Sequence, residues 1–71
     1  NLGKNMKLRL NGDISEFQEG LTVAGLLKEL EIEPRGVAVE VNMKILKRTD
    51  FDGFELKDGD SVEIVSFVGG G

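Results

Sequence analysis

The sequence contains no cysteine and no histidine. Without cysteine the chain has no disulfide to support its core, no thiol nucleophile, no thiolate metal ligand and no sign of its redox compartment. The absence of histidine removes the commonest general base and the commonest metal ligand. Catalysis would have to rest on Asp, Glu, Lys, Ser or Thr in a domain too small for a deep pocket, so the composition argues against an enzyme.

Long apolar stretches and an excess of positive charge are missing too. No run of residues is long and apolar enough to span a membrane, and residues 1–9 lack the apolar core of a signal peptide. Nine Lys and Arg stand against thirteen Asp and Glu, a net charge of −4, which argues against non-specific nucleic-acid binding and suits a partner with a basic surface. We expect a soluble cytoplasmic protein with no nucleic-acid or membrane partner.

The length of 71 residues indicates one domain, of a size that buries about 60% of its unfolded surface. Met6 has the character of a native start. Residues 1–5 are therefore expected to be a cloning leftover or a disordered extension. We assign residues 6–68 to the folded domain and residues 69–71 to a flexible C-terminal glycine tail.

Alternation of apolar and charged residues predicts the first strand, and the alternation returns in the third. A first strand at 6–10 is followed by Asn11-Gly12, a strong hairpin signal, and a return strand at 14–17. A two-residue and a three-residue loop would put Ile14 on opposite faces, so the register stays open. Later segments read as a strand at 37–41, a turn at 42–44, a short strand at 45–48, a connector at 50–60 with Leu56 turned inward, and a last strand at 61–68.

One helix is predicted between the second and third strands. Thr22 can cap its first turn, and four residues at helical spacing form one apolar stripe: Val23, Leu26, Leu27 and Leu30. The helix should end near Glu31, because Pro34 disfavours helical geometry in the residue before it. Gly25 weakens the helix by roughly 1 kcal/mol relative to Ala, and we expect it to let the helix lie close to the sheet.

This order of elements predicts an α+β, two-layer domain. It fits a β-grasp (ubiquitin-like) fold, a mixed four- to five-stranded sheet with one main helix packed on one face. If Val62 and Ile64 face the helix, Glu63, Val65 and Phe67 face away. We expect the outward Val65–Phe67 pair, with Val68, to bind a partner; the alternative is that Phe67 folds against the edge of the core. The free chain should be a monomer, since its edge strands are short and charged.

Three glycines, Gly69-Gly70-Gly71, follow the last strand directly. Without Cβ atoms such a tail can lie extended in a narrow slot. It presents an unhindered α-carboxylate, which is ionised at neutral pH and can attack the α-phosphate of ATP. The alternative is a cloning linker or a frayed end.

Acidic residues crowd the segment between Asp50 and Glu63. Asp50-Phe51-Asp52-Gly53 lacks the third oxygen ligand and the distal Glu of a calcium loop, so no metal site is expected. We interpret these residues as turn-forming acids on a solvated face, with steering toward a basic partner as a second interpretation. Phe51 and Phe54 are expected to pin this connector to the core.

The chain resembles the ThiS family, the ubiquitin-like sulfur carriers of thiamine thiazole synthesis, over residues 6–71. The matching pieces are Leu10-Asn11-Gly12, Gly20-Leu21-Thr22-Val23, Val39-Glu40-Val41-Asn42, Leu56-Lys57-Asp58-Gly59-Asp60, and Glu63-Ile64-Val65 running into Phe67-Val68-Gly69-Gly70-Gly71. Most are weak alone. The Asp-Gly-Asp turn, the apolar strand and the terminal glycines are fairly specific together in a chain this short.

The resemblance implies a carrier, not an enzyme. A ThiF-like adenylating enzyme would use ATP to convert the Gly71 carboxylate to an acyl-adenylate, while the carrier itself binds no cofactor. Sulfur from a donor such as a cysteine desulfurase would then give a thiocarboxylate, which passes its sulfur to a ThiG-like thiazole synthase. Gly70 and Gly69 would thread the tail into these enzymes, and Gly69 needs no separate role.

Three alternatives stay open. A MoaD-like sulfur carrier for molybdopterin synthesis shares the fold and the glycine chemistry, although such proteins tend to be longer. A ubiquitin-like protein modifier would form isopeptide bonds through Gly71. A non-covalent β-grasp binding module would keep its partner after loss of the last two glycines.

Overall fold

The sheet is built around a parallel pair of strands from the two ends of the chain. The computed structural model describes residues 4–67. It contains five strands in the order β2-β1-β5-β3-β4. Only β1 and β5 run parallel, and their neighbours pair antiparallel. The bounds are β1 Asn5–Leu10, β2 Asp13–Gln18, α1 Val23–Glu29, β3 Val37–Val41, β4 Lys44–Ile45 and β5 Ser61–Ser66.

Apolar residues from every layer meet between the helix and one face of the sheet. The helical stripe predicted from the sequence supplies Val23, Leu26 and Leu27, and Leu30 packs at its margin. Burial of such side chains stabilises the fold by about 1.5–3 kcal/mol each. The α+β, β-grasp prediction is confirmed, with five strands. The buried core consists of Met6, Leu8, Val23, Leu26, Leu27, Val39, Val41, Phe51, Leu56 and Val62.

The first hairpin closes through a two-residue turn. Leu10 pairs with Asp13 and Arg9 with Ile14, while Asn11 and Gly12 both have positive φ, 49° and 91°. This is the geometry that Asn-Gly favours, because its twist matches the flanking strands. Ile14 therefore lies on the outer face of the sheet, which answers the question of register.

Strand β1 begins one residue earlier than expected. Asn5 pairs with Gln18, and the Lys4 carbonyl accepts a hydrogen bond of 2.9 Å from the Glu19 N–H. The sheet therefore takes in part of the segment 1–5 that we placed outside the domain, because β2 is long enough to supply partners there. Residues 1–3 lie outside the described residues, so the origin of that segment stays a prediction.

The fourth strand is shorter than the predicted 45–48. Strand β4 contains Lys44 and Ile45. The Leu46 N–H still donates to the Val39 carbonyl of β3 at 2.9 Å, and a 3₁₀ turn follows at Arg48–Asp50. The prediction was wrong at this point because the chain leaves the sheet to bring Phe51 into the core. A second 3₁₀ turn, Pro34–Gly36, has Pro at its first position, where the missing N–H costs nothing.

The connector between β4 and β5 packs against the start of the helix. The N–H groups of Val23 and Ala24 donate to the carbonyls of Phe54 and Phe51, each at 3.0 Å. Phe51 and Leu56 are buried, and Phe54 packs on the core. The expectations that both phenylalanines pin the connector and that Leu56 turns inward are confirmed.

Gly25 has a different neighbour from the one expected. A Cβ at this position would lie 2.9 Å from Leu21 Cδ1 and 3.4 Å from Thr22 Oγ1. Those atoms belong to the residues just before the helix and not to the sheet. The expectation that Gly25 lets the helix approach the sheet is therefore wrong.

Candidate functional site

The end of β5 presents two apolar side chains on the face opposite the helix. Val62 is fully buried and Ile64 packs on the core, so the alternation of the strand turns their neighbours outward. Val65 is 56% exposed and Phe67 63% exposed. The prediction that these two residues face away from the core is confirmed, and the alternative in which Phe67 folds against the core edge is wrong.

The backbone remains hydrogen-bonded up to the last described residue. The Phe67 N–H donates to the Gly36 carbonyl at 3.1 Å, which continues the β3–β5 ladder past Ser66. Val68 and the glycines Gly69, Gly70 and Gly71 lie outside the described residues. Their roles as docking residue, threading tail and attachment point therefore remain predictions.

The Asp-Gly-Asp turn is a structural device. One oxygen of Asp60 accepts from the Asn42 side-chain amide at 2.9 Å, and the other accepts from the Lys57 N–H at 2.8 Å. Asp58 accepts from the Lys7 N–H at 2.7 Å. These bonds tie the turn to β1 and to the β3–β4 turn, which confirms the turn-forming interpretation for Asp58 and Asp60. Within residues 4–67 no three acidic side chains converge as metal ligands would.

Two asparagines have structural roles that sequence patterns did not reveal. Asn11 accepts from the Ile64 N–H at 2.7 Å and donates to the Ile64 carbonyl at 3.3 Å. Its side chain therefore continues the pairing of β5 beyond the end of β1. Asn42 accepts from the Ser61 N–H at 2.9 Å in the same manner. Together the two asparagines fix the position of β5 between β1 and β3.

A groove of about 690 Å³ opens on the opposite, helix-bearing side of the sheet. Its walls come from the segment after the helix and from the ends of β1 and β5. No sequence motif marks it, because three separate segments contribute. Its apolar lining consists of Leu10, Leu30, Ile32, Val37 and Ile64, with Asn11, Glu33, Arg35, Gly36 and Ser66 completing the wall.

Across residues 4–67, no helix has the length and apolar character that crossing a membrane would need.

Comparison with known proteins connects this geometry to a family. The model of the ThiS family matches residues 8–71, a stretch that covers the helix, nearly the whole sheet and all three terminal glycines. The chain belongs to the ThiS family. The match includes each piece on which the resemblance was based, so that interpretation is confirmed.

A solved ThiS-family structure and a ThiS-family relative agree with this assignment. The crystal structure of the thiamine biosynthesis protein ThiS from Geobacter metallireducens superposes with a TM-score of 0.81 at 42% identity, covering 93% of this chain and all of that one. The sulfur carrier protein ThiS of Bacillus subtilis is 40% identical over 65 residues, which is 90% of this chain and 98% of the relative.

A third relative is much larger than a ThiS domain. A thiazole synthase of Paramagnetospirillum magneticum is 44% identical over 66 residues, which is 93% of this chain. The chain spans only about a fifth of that protein's length, 20%. A ThiS-like stretch therefore occurs there within a longer polypeptide.

Proposed function

We propose that this protein is a sulfur carrier for the formation of the thiazole ring of thiamine, and that it performs no catalysis itself. The observation that carries the proposal is the family match, which runs through the core and reaches Gly71. The proposal requires that Gly71 bears the free α-carboxylate of the working protein. It also gives the glycines a chemical role that the fold alone does not require.

The chemistry takes place on the carboxyl group of Gly71. A carboxylate oxygen attacks the α-phosphate of ATP on a ThiF-like adenylating enzyme, and pyrophosphate leaves. Hydrosulfide, which a thiol reductant can release from the persulfide of a donor such as a cysteine desulfurase, then attacks the acyl carbon. AMP leaves with the oxygen, and with hydrosulfide the products are a thiocarboxylate, AMP and one proton. ATP is thus a co-substrate of the partner and not a cofactor of the carrier.

The folded domain provides the surface by which partner enzymes recognise the carrier. Glycines carry no side chains, so an enzyme must recognise the carrier through the nearest side chains of the domain. Val65 and Phe67 are exposed on the outer face at the end of β5, and Val68 follows them in the sequence. We assign partner docking to these three residues, since exposed apolar patches often mark interaction sites.

A ThiG-like thiazole synthase is the proposed acceptor of the sulfur. Its support is the relative named thiazole synthase, in which a stretch 44% identical to this chain makes up 20% of the polypeptide. A polypeptide that contains both a sulfur carrier and its acceptor enzyme would raise the effective concentration of the carrier at the acceptor.

Intact mass spectrometry tests the proposal directly. The protein is incubated with ATP, a ThiF-like adenylating enzyme and sulfide. The expected result is a mass increase equal to the replacement of one oxygen by one sulfur. A variant lacking Gly70 and Gly71 is the matched control and should show no shift. If the full-length chain stays unmodified beside a demonstrably active enzyme, the carrier function is contradicted.

Single substitutions in the tail test the steric role of glycine. Gly71→Ala should slow adenylation and Gly70→Ala should obstruct threading, because each adds a Cβ where the slot accommodates none. The rate of thiocarboxylate formation is the measurement. Wild-type turnover in both variants would remove the steric argument while leaving the carrier function in place.

A final arm identifies the acceptor. Transfer of the sulfur from the purified thiocarboxylate to a product of a ThiG-like synthase supports the thiazole assignment. Transfer only to a molybdopterin synthase, or a lysine-linked conjugate in cells, would replace that assignment by one of the alternatives.

A further inference from the structure

Three side chains form one row across the outer face of the sheet. Glu40 on β3 lies opposite Glu63 on β5 on one side and opposite Ile45 on β4 on the other. The hydrogen bonds from Asn42 N–H to Ser61 O and from Phe67 N–H to Gly36 O place the Glu40–Glu63 pair among the hydrogen-bonded pairs of the ladder. In such a pair the two Cβ atoms are about 5.5 Å apart.

Two glutamates directly opposite each other oppose folding. Like charges in opposed cross-strand positions are destabilising, whereas an opposite-charge pair contributes about 0.2–1 kcal/mol. Within residues 4–67 neither carboxylate accepts a side-chain or backbone hydrogen bond that would offset this. The nearby Arg9 guanidinium instead donates to the Gly12 carbonyl. Local conflicts of this kind are expected at functional sites.

The two carboxylates lie among exposed apolar side chains. Ile45, at one end of their row, is 72% exposed. In the next row Ala38 lies opposite Val65, and Phe67 comes one row further along β5. On strands β3, β4 and β5 the outer face therefore has two negative charges, flanked by Ile45 on one side and by Val65 and Phe67 on the other. This arrangement matches a partner with one cation set within an apolar surface. The basic side chains of Lys7 and Arg9 lie on the β1 part of the same face.

We propose that this outer face docks an arginine of the adenylating enzyme, with the guanidinium bound by both Glu40 and Glu63; the inference rests on the proposed function. A guanidinium has five donors in a planar fork and can serve two carboxylates at once, whereas an ammonium is a compact point charge. Apolar side chains around the arginine cover Ile45, Val65 and Phe67. The charge repulsion between the glutamates is relieved only in the complex.

We choose the adenylating enzyme as the partner because the chemistry of the tail helps it least to recognise this chain. It must select this chain while the tail still ends in an ordinary carboxylate, which every protein carries. An acceptor of sulfur recognises a thiocarboxylate, which is itself distinctive. The enzyme of the first step therefore depends most on the side chains of the folded domain.

Charge-neutralising variants test the docking face. Glu40→Gln and Glu63→Gln keep the side-chain shape and remove one charge each. Each should raise the KM for the carrier in adenylation by about tenfold or more, since hydrogen bonds to charged groups are among the strong ones. The kcat should stay unchanged, because Glu40 and Glu63 contribute to docking and take no part in the proposed chemistry. The thermal midpoint of both variants should equal or exceed that of the wild type.

Glu29→Gln supplies the matched control. Glu29 is exposed at the end of the helix, on the layer opposite the outer face, and its loss changes the net charge by the same amount. Its KM should equal that of the wild type. Equal KM values for the wild type and all three variants would overturn the inference while the proposed function stands. Failure of the wild type to be adenylated would overturn both.

A double-mutant cycle identifies the arginine. Each surface arginine of the enzyme is changed to lysine and assayed with the wild-type carrier and with Glu63→Gln. One arginine should reproduce the rise in KM and show coupling to Glu63, so that the double variant loses less than the sum. If every lysine variant binds as the wild type does, the arginine assignment is wrong.

Discussion

Asparagines at two turns determine how β5 is held in the sheet. Asn11 and Asn42 have φ values of 49° and 52°, and the side chain of each bonds to the backbone of β5. Asn is one of the few residues that tolerates this backbone region while offering both a donor and an acceptor. The sequence predicts both turns from their composition. It does not predict the bonds to β5, because they join residues 53 and 19 positions apart.

Asn42→Ala should destabilise the protein by about 2 kcal/mol. Alanine is strained at positive φ, and the substitution removes the bonds to the Ser61 N–H and to Asp60. Chemical denaturation gives the free energy of unfolding.

Asn42→Gly separates the two contributions. Glycine accepts the backbone conformation but makes neither side-chain bond, so its loss should be about half that of the alanine variant. Identical losses for both variants would show that backbone strain contributes nothing here.

At the scale of elements, the helix ends in a Schellman motif that the sequence does not predict, because the usual glycine is absent. The N–H groups of Glu31 and Ile32 donate to the carbonyls of Lys28 and Leu27 at 3.1 and 2.9 Å, and Glu31 has a φ of 59°. This is the Schellman arrangement, in which the residue at positive φ is usually glycine. Ile32 packs on the core beside it. Because Glu31 occupies the position where glycine is usual, the sequence does not show the C-terminal capping motif.

Glu31→Gly should stabilise the protein by about 0.5–1 kcal/mol, since glycine removes the strain of the left-handed conformation. Glu31 is exposed, so little packing is lost. The shift of the denaturation midpoint is the measurement.

Glu29→Gly is the counterpart two residues earlier. It lies within the helix, where glycine costs about 1 kcal/mol relative to alanine. The same substitution should therefore have opposite signs at positions 29 and 31. Destabilisation at both positions would mean that Glu31 is not strained.

The sequence predicts the elements better than it predicts their ends. The helix and strands β1 and β3 follow from periodicity, because a half-buried strand and a core-facing helix both carry a local pattern, and the hairpin signal at Asn11-Gly12 adds β2. The errors are at the 45–48 segment, at Gly25 and at the first residue of β1. The two strand errors depend on which distant residue supplies a pairing partner, and that information is not local. The error at Gly25 has a local cause, because its neighbours are the side chains of Leu21 and Thr22 just before the helix.

The same distinction applies to the candidate site. Alternation along β5 alone is enough to place Val65 and Phe67 on the outer face. The Glu40–Glu63 pair is invisible in the sequence, because it depends on the register between β3 and β5. The glycines are evident in the sequence, whereas the arrangement of side chains on the outer face can be seen only in the folded structure.

At the scale of the whole molecule, the core and the proposed chemistry occupy separate parts of the chain. The buried residues of the described structure lie between Met6 and Val62, whereas the proposed chemistry is at Gly71. Removing Gly69–Gly71 should therefore leave the thermal midpoint within about 1 °C of the wild type, because glycine has no apolar side chain to bury, while abolishing thiocarboxylate formation.

Leu56→Ala should do the reverse. Leu56 is fully buried in the connector, so its truncation should cost about 2–5 kcal/mol, a large share of the stability of a small domain. The fraction that remains folded should still form the thiocarboxylate at the wild-type rate, since the tail and the outer face are intact. Calorimetry and intact mass on the same samples measure both effects.

The deletion of Gly69–Gly71 has its own contrary outcome. If it lowers the thermal midpoint by several degrees, the terminal residues contribute to the fold, and the docking face would then have to be considered together with them.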